Sequence, residues 1–349
     1  MKPIATYEEI EKDPSGKTTL LVDVRSPKEY AKATIPGAVN LPVLDNDERR
    51  EVGILYDSGK IEEAKQYGIS TLSPRLPEMF QQYQEYARQY DQMVIFCSRG
   101  GFRSNSIFSL LKSLGLNVSR LEGGYKSYRR TVTHLLPEII KKVHFITLYG
   151  NTGNGKTAIL KELAKQGANI LDLEGCANHR GSLLGSVGLE EPHSQKMFES
   201  LLFETAKQWQ EPLIVFTEGE SKRIGNVVLP QFLVEAMRQG VNIRIDAEME
   251  DRLQQLKEDY VYPGNDEEII AALEELKRYL NEERIERYKK QVRQGAYDEV
   301  IEDLLLKYYD PRYSHTKKEY AAQFLNTDAA ATAEAILKWS KEAQPFKSI

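Results

Sequence analysis

Eight residues, GNTGNGKT from Gly150 to Thr157, match the pattern G-x-x-x-x-G-K-[ST] without a gap. They follow the β-rich run VHFITLYG and precede the helical TAILKELAKQG, so strand, loop and helix stand in the order the motif needs. No other stretch constrains the fold as strongly. The chain must supply a strand whose end opens into a loop of backbone N–H groups aimed at an anion, with a helix N-terminus behind it. The candidate diphosphate site is Gly150, Asn151, Thr152, Gly153, Asn154, Gly155, Lys156 and Thr157, with Lys156 reaching the oxygens and Thr157 able to ligand Mg²⁺. No other metal ligand is expected. The spacing does not choose between a nucleoside triphosphate and another diphosphate.

An α/β rhythm continues around this loop: strand NILDL, loop EGCANHRGSLLGS, helix QKMFESLLFETAKQW, strand PLIVFTE, helix LPQFLVEAMRQG and strand VNIRIDA. An acidic partner is expected at a neighbouring strand end, where Glu218 and Glu220 stand, although either could simply cap the strand. Lys222 and Arg223 follow and could face phosphate on a small molecule or on RNA. His179 and Arg180, in a glycine-bounded loop, could touch RNA or diphosphate, or be ordinary surface residues. Cys176 in that loop lacks an adjacent cation pair and reads as structural. No kinase catalytic-loop motif or helicase repeat accompanies the phosphate loop.

The first part of the chain carries a second chemical signal, VIFCSRGGFRS. Upstream, TLLVDVR reads as a buried strand, followed by a helix with Ser26 as N-cap, Pro27 at its first position and Glu29 closing a capping box. MVIFC is the next strand, SNSIFSLLKSLG a helix stopped at Gly115, and NVSRLEGG a further strand and turn. Strands joined through helices imply a parallel sheet. Cys97 thus stands at the C-terminal end of a parallel strand, before a tight loop and a helix. Gly100 and Gly101 let N–H groups turn inward, while Arg99 and Arg103 add positive charge. All of this favours thiolate, the nucleophilic form, which could take a chalcogen from an activated sulfur or selenium donor. The plainer alternative is a small buried apolar residue ending the strand.

At 349 residues the chain is long enough for two domains with real cores, and 41% hydrophobic with 28% charged residues is a globular balance. A net charge of −5 argues against a generally basic nucleic-acid coat but leaves local patches open. Two cysteines make a disulfide framework unexpected. MKPIATYEEIEKDPSG has no apolar signal-peptide region and no run is long enough to span a bilayer, so the cytoplasm is the expected compartment, without a membrane partner. The stretch KSYRRTVTHLLPEIIKK reads as a connecting helix broken near Pro137. Beyond residue 248 strand signals fade and polar helical segments take over. In KRYLNEERIERYKKQVR basic residues outweigh acidic ones, with Tyr279 and Tyr288 interleaved, and YDPRYSHTKK repeats the theme. Either an RNA-contacting surface or a solvated helix face with inward tyrosines fits that pattern.

CSRGGFRS, with LVDVRSPKEYAKATIPGAVNLP upstream, resembles a rhodanese domain, a family of sulfurtransferases with a persulfide-bearing cysteine. Carried over, Cys97 is the chalcogen carrier, and Ser98, Arg99, Gly100, Gly101, Phe102 and Arg103 form the anion cradle. Asp23, Arg25 and IPGAVNLP become structural parts of that fold. LDNDERREVGILY, LEGGYKSYRR, LDLEGCANHRGSLLG, EGESKRIGNVVLP and YDPRY further resemble the tRNA 2-selenouridine synthases, from about Val22 to Tyr313. Ser98 departs from that pattern, where many relatives carry an aromatic residue.

The resemblance implies an α/β fold: a rhodanese-like parallel-sheet domain (1–130), a linker helix (131–142), a P-loop NTPase-like α/β domain (143–247) and a helical, tRNA-binding C-terminal region (248–349). It also implies a transferase that replaces the sulfur of wobble 2-thiouridine with selenium from selenophosphate in the tRNAs for lysine, glutamate and glutamine. The anticodon stem-loop is then the partner, with a selenophosphate-supplying enzyme behind it. The family is further associated with geranylating that sulfur, which makes geranyl diphosphate a co-substrate and the expected ligand of the phosphate loop. No tightly bound cofactor is implied. A different enzyme class, a thiosulfate sulfurtransferase fused to a small-molecule kinase or nucleotide-binding module, uses the same two motifs. A non-enzymatic tRNA-binding or nucleotide-sensing module with two vestigial sites is the third reading, against which stand the intact Cys97 and Lys156.

Overall fold

The computed structural model describes residues 2–14, 16–182, 184–313 and 318–342, with the Tyr313 side chain left aside. The chain divides into two compact units, 1–135 and 136–349.

The first unit is a five-stranded parallel sheet built from β1 (Ile4–Ala5), β2 (Thr19–Asp23), β3 (Val39–Asn40), β4 (Gln92–Phe96) and β5 (Val118–Leu121), in the order β1-β5-β4-β2-β3. Every residue of β4 is buried, the unalternating pattern of a strand covered on both faces. Its Met93 and Ile95 share the core with Val22, Tyr83 and Ile107. Cys97 follows β4 directly, at the strand end where ligand loops of parallel sheets gather. Three helices, Asn46–Asp57, Ile61–Leu72 and Leu76–Gln89, fill the connection from β3 to β4 and have no counterpart in the sequence reading. The first of them starts on a reciprocal capping box between Asp45 and Glu48.

The second unit holds β6 (His144–Tyr149), β7 (Asn169–Leu171), β8 (Ile214–Glu218), the antiparallel pair β9 (Arg223–Ile224) and β10 (Val227–Val228), β11 (Val241–Asp246) and β12 (Ala322–Leu325). Its main sheet is parallel, in the order β12-β11-β6-β8-β7. β6 is central, and the phosphate loop leaves its C-terminal end for the helix Lys156–Lys165.

Three boundaries differ from the sequence reading. Residues 131–140 of the expected linker helix, 131–142, belong to one continuous helix, Gly124–Ile140, with Pro137 inside it. A proline there forfeits one hydrogen bond. Burial of Val132, Leu136 and Ile140, one turn apart on one face, outweighs that loss. The C-terminal region, 248–349, is helical as expected but not by helices alone. Residues 249–313 form a helical insertion with its own apolar core, after which the chain returns to the sheet as β12, paired with β11. The helix Ala329–Glu342 then packs on Lys156–Lys165, with Ala333 and Ile336 in the sheet's core. β12 is a short edge strand among polar neighbours, so its sequence signal is faint. Finally, the loop read from Glu174 onward begins inside a short helix, Leu173–Ala177, capped by Asp172. No helix among the described residues is long and apolar enough to cross a membrane.

Candidate active sites

In the first unit Cys97 is buried, and its Sγ lies 3.2 Å from the Ser104 hydroxyl. Burial is the largest influence on the thiol and pushes its pKa up. The Ser104 hydroxyl and N–H, the Arg99 N–H and the Arg103 guanidinium together overcome it, holding the thiol below its usual range. Ser104 is a site residue that the cradle of Ser98 to Arg103 stopped one position short of. As the second serine of CSRGGFRS, in the first turn of the helix Phe102–Ser113, it was within reach of the sequence.

The cradle residues play different parts. Arg99, Gly101 and Phe102 are exposed, and Ser98 is half-buried. Arg103 is not a free cation, since it grips the Glu29 carboxylate with two N–H donors at 2.6 and 3.3 Å. Burial raises the Glu29 carboxyl, but Arg103, with the Ser26 N–H and Arg49, leaves it below the usual carboxylate range. The loop's shape is fixed from behind by the LEGGYK segment. Tyr125 and Lys126 donate their N–H groups to the carbonyls of Cys97 and Ser98, each at 2.9 Å, and Arg120 donates to the Gly100 carbonyl at 2.6 Å. Gly124 sits so close that a Cβ there would lie 2.2 Å from the Cys97 carbonyl oxygen. Asp23 and Arg25 form a buried ion pair, with the Arg25 guanidinium 4.2 Å from the Tyr125 ring centre, in keeping with a structural role.

Alanine at Ser104 should raise the Cys97 pKa. The pH profile of Cys97 alkylation would then move to higher pH, because the thiolate, the reacting form, loses a donor while the thiol does not. An unmoved midpoint would remove Ser104 from this role.

In the second unit the phosphate loop borders a cavity of about 330 Å³, lined by Thr152 to Thr157 with Glu174, His179, Arg180 and Glu220 among the facing residues. The Lys156 ammonium donates to the carbonyls of Gly150 and Asn151, at 3.1 and 3.3 Å, and lies folded along its own loop. Asn154 anchors the loop by donating to the Ile245 carbonyl at 2.7 Å. From the helical insertion, Arg252 donates to the Thr152 carbonyl and grips Asp310, which accepts in turn from Asn151. The aspartate of YDPRY thus braces the phosphate loop.

Thr157 donates to Glu174 at 3.3 Å. Around that bond the fold gathers more carboxylates than expected. A Cβ on Gly181 would meet Glu220 at 2.5 Å and Glu174 at 2.8 Å, so both carboxylates close on one point. Glu218 lies beneath them, accepts from the Glu174 N–H at 2.9 Å and keeps its second oxygen unpartnered. Burial, then the neighbouring Glu220, pushes Glu174 up to about 8; burial, then Asp172, raises Glu218 well above the carboxylate range. Burial raises Glu220 as well. Such a group favours a bound proton or cation. Among the described residues no set of three or more His, Cys, Asp or Glu side chains is arranged to hold a metal. Mg²⁺ here would depend on Thr157 and on the ligand's own oxygens, the usual manner for this ion.

Of the remaining candidates, His179 and Arg180 do line the cavity. Burial, then Arg180, lowers the His179 pKa, and its Nδ1 has no partner. Lys222 and Arg223 are exposed on and before β9 and are not among the cavity's lining residues. Cys176 is buried and pushed up to about 12, as a structural thiol should be. The basic helix is largely neutralised: Lys277 and Lys289 pair with Glu274, Arg278 with Glu275, Arg284 and Arg287 with Asp303, and Arg293 with Glu267. Tyr288 is a core residue with its hydroxyl on Asp303, while Tyr279 is exposed. That stretch is therefore a salt-bridged surface made of a short turn, Leu276–Arg278, and the helix Glu282–Arg293, and Tyr279 alone of the two tyrosines is exposed. Of YDPRYSHTKK, residues 314–317 lie outside the described residues.

Two family models match, the rhodanese-like domain over residues 6–131 and the tRNA 2-selenouridine synthase AAA domain over 143–345. Proteins carrying the name tRNA 2-selenouridine synthase align along nearly the whole chain. One from a Sulfurovum species is 30% identical over 92% of this chain and 94% of its own. Another from Pseudomonas fluorescens is 30% identical with the same coverage. A third, from Hydrogenovibrio crunogenus, is 32% identical over 86% of this chain and 89% of its own. With both domains matched and an aligned relative at 30% identity or more end to end, this chain belongs to the tRNA 2-selenouridine synthase family.

Proposed function

We propose that the protein is a tRNA-modifying transferase that converts wobble 2-thiouridine to 2-selenouridine, with selenophosphate as selenium donor and S-geranyl-2-thiouridine as intermediate. The observation carrying the reading is the pairing, in a chain of this family, of a thiol held below its ordinary pKa with a phosphate loop that presents Lys156 and Thr157. In the geranyl step the 2-thiouridine sulfur attacks C1 of geranyl diphosphate. The C–O bond breaks and diphosphate leaves, its charge met by Lys156 and the loop N–H groups. In the selenium step a C–Se bond replaces C–S at C2 of the base and geranyl thiol leaves. Water exchanges the donor's P–Se bond for P–O, so the step needs neither oxidant nor reductant. Cys97 serves the selenium step as a thiolate nucleophile: it adds at C2 and expels geranyl thiol. The selenide freed from the donor then displaces Cys97 from C2, with the loop N–H groups holding the donor anion.

The tRNAs for lysine, glutamate and glutamine are the proposed substrates, and the unpaired anticodon loop spares the cost of extracting a base from a duplex. The competing ligand of the phosphate loop is ATP. Equilibrium binding of geranyl diphosphate and of ATP, each to wild-type protein and to Lys156→Ala, decides between them. Geranyl diphosphate should bind and lose at least roughly tenfold in affinity on the substitution, the size of effect expected when a charge-assisted contact to phosphate is removed. Tight, Lys156-dependent ATP binding without geranyl diphosphate binding would overturn the assignment.

A further inference from the structure

The helical insertion ends in a turn of π-helix, Leu305–Tyr309, followed directly by the short helix Asp310–Tyr313. Such wide turns are rare and gather at functional sites. This one serves the phosphate loop on one side, where Asp310 accepts from Asn151 at 3.1 Å and from Arg252. Two residues further on, the Arg312 guanidinium lies 3.5 Å from the Tyr308 ring centre and 5.5 Å from that of Tyr279. It also donates to the Tyr308 carbonyl at 2.7 Å, and the two rings stand 5.9 Å apart. Tyr308 is buried, whereas Arg312 is exposed and Tyr279 is 54% exposed. Lys289 and Arg287 nearby are neutralised by Glu274 and Asp303, but no carboxylate among the described residues pairs with Arg312. A guanidinium held by two rings and a carbonyl is oriented before any ligand arrives, and the ring beside it keeps apolar surface in water.

We propose that Tyr279 and Arg312 form a stacking platform for an unpaired base of the substrate RNA, a neighbour of the base that reacts at the phosphate loop. This rests on the tRNA reading given above. Proteins hold splayed, unpaired bases by stacking them on aromatic rings and on guanidinium planes, and both surfaces are presented here side by side. The chain from Asp310 to Arg312 spans at most about 7 Å, so one strand of an anticodon loop can reach the phosphate loop and the platform together. A bare phosphate would need the cation but leave the exposed ring unused. An acidic peptide would do the same. A base uses both, and because every base has a π-face the platform holds the strand without reading its sequence.

The test is fluorescence-anisotropy titration of the full-length protein with the anticodon stem-loop RNA of a lysine tRNA, at salt from about 50 to 200 mM. Tyr279→Ala should weaken binding roughly 5- to 150-fold, the loss of one stacked base. The slope of log affinity against log salt should stay as in wild type, because no charge is removed. Tyr279→Phe keeps the ring and should bind as wild type does. Arg312→Lys keeps the charge but not the plane, and should weaken binding at an unchanged salt slope. Both weakened variants should bind inorganic diphosphate as before, which certifies their fold. Wild-type RNA affinity in both Tyr279→Ala and Arg312→Lys would overturn the platform and leave the tRNA reading standing. Loss in Arg312→Ala alone, restored by Arg312→Lys, would make the site a phosphate contact and overturn stacking. Loss of diphosphate binding in step with RNA binding would reduce these residues to part of the phosphate-loop brace. If wild type does not bind the RNA, the tRNA reading falls, and the platform with it.

Discussion

Serine in place of Cys97 should abolish 2-selenouridine in tRNA, a loss of at least roughly 10³-fold when a nucleophile is removed, while geranylated 2-thiouridine persists. The substitution changes one buried atom and keeps the 3.2 Å contact to Ser104 within hydrogen-bonding reach, so the fold should survive it. What it removes is ionisation. Donors arranged around Sγ stabilise a thiolate, whereas a serine hydroxyl stays protonated at neutral pH whatever surrounds it. The geranyl step is assigned to the other compact unit, whose phosphate loop the change does not touch. Mass spectrometry of tRNA nucleosides from cells carrying wild-type or variant protein reads both products at once. Selenouridine at wild-type levels in the variant would take Cys97 out of the chemistry, and loss of both products would put it in the geranyl step too.

Gly124→Ala should be the most destabilising single-methyl change in the first unit, at roughly 3–5 kcal/mol. Its φ of +59° already disfavours any side chain. The added Cβ would stand 2.2 Å from the Cys97 carbonyl oxygen and 2.6 Å from the Gly100 nitrogen, both backbone atoms that no rotamer change can move aside. The Cys97 carbonyl is also held at 2.9 Å by the Tyr125 N–H, so relief of the clash breaks the brace that shapes the thiol loop. Gly101→Ala is the control, because nothing lies within 4 Å of its Cβ position, and it should be close to neutral. Calorimetry suits the measurement better than tryptophan fluorescence, since both tryptophans, Trp209 and Trp339, are in the second unit. A Gly124→Ala protein that melts like wild type would contradict the packing described.

The place of both candidate loops was legible in the sequence because each is a contiguous string set between its own strand and helix. What stayed hidden depends on residues far apart in the chain. Glu29 neutralises Arg103 across 74 positions and Asp310 braces Asn151 across 159. The carboxylate group of Glu174, Glu218 and Glu220 forms only when two strand ends meet, and no local pattern marks Glu174 as a partner of Thr157. The basic stretch left two readings open for the same reason. Its arginines and lysines look like an RNA stripe until Glu274 and Asp303, on neighbouring helices, are placed against them. Tyr279 and Tyr288 are nine positions apart in one string, and only packing separates the exposed ring from the core one.

The late return of the chain to the second sheet, through β12 at Ala322–Leu325, also sets an order of events at the ribosome. Synthesis proceeds at about 5–20 residues per second, and domains fold as their last strand emerges. The first unit has all five strands by Leu121 and can close while translation continues. The second cannot: β11 must wait, with one edge unpaired, until the whole helical insertion has been made and β12 arrives to cover it. During that interval the nascent chain exposes a sticky parallel edge, and the helical insertion, by folding promptly on its own apolar core, is what shortens the distance β12 must search.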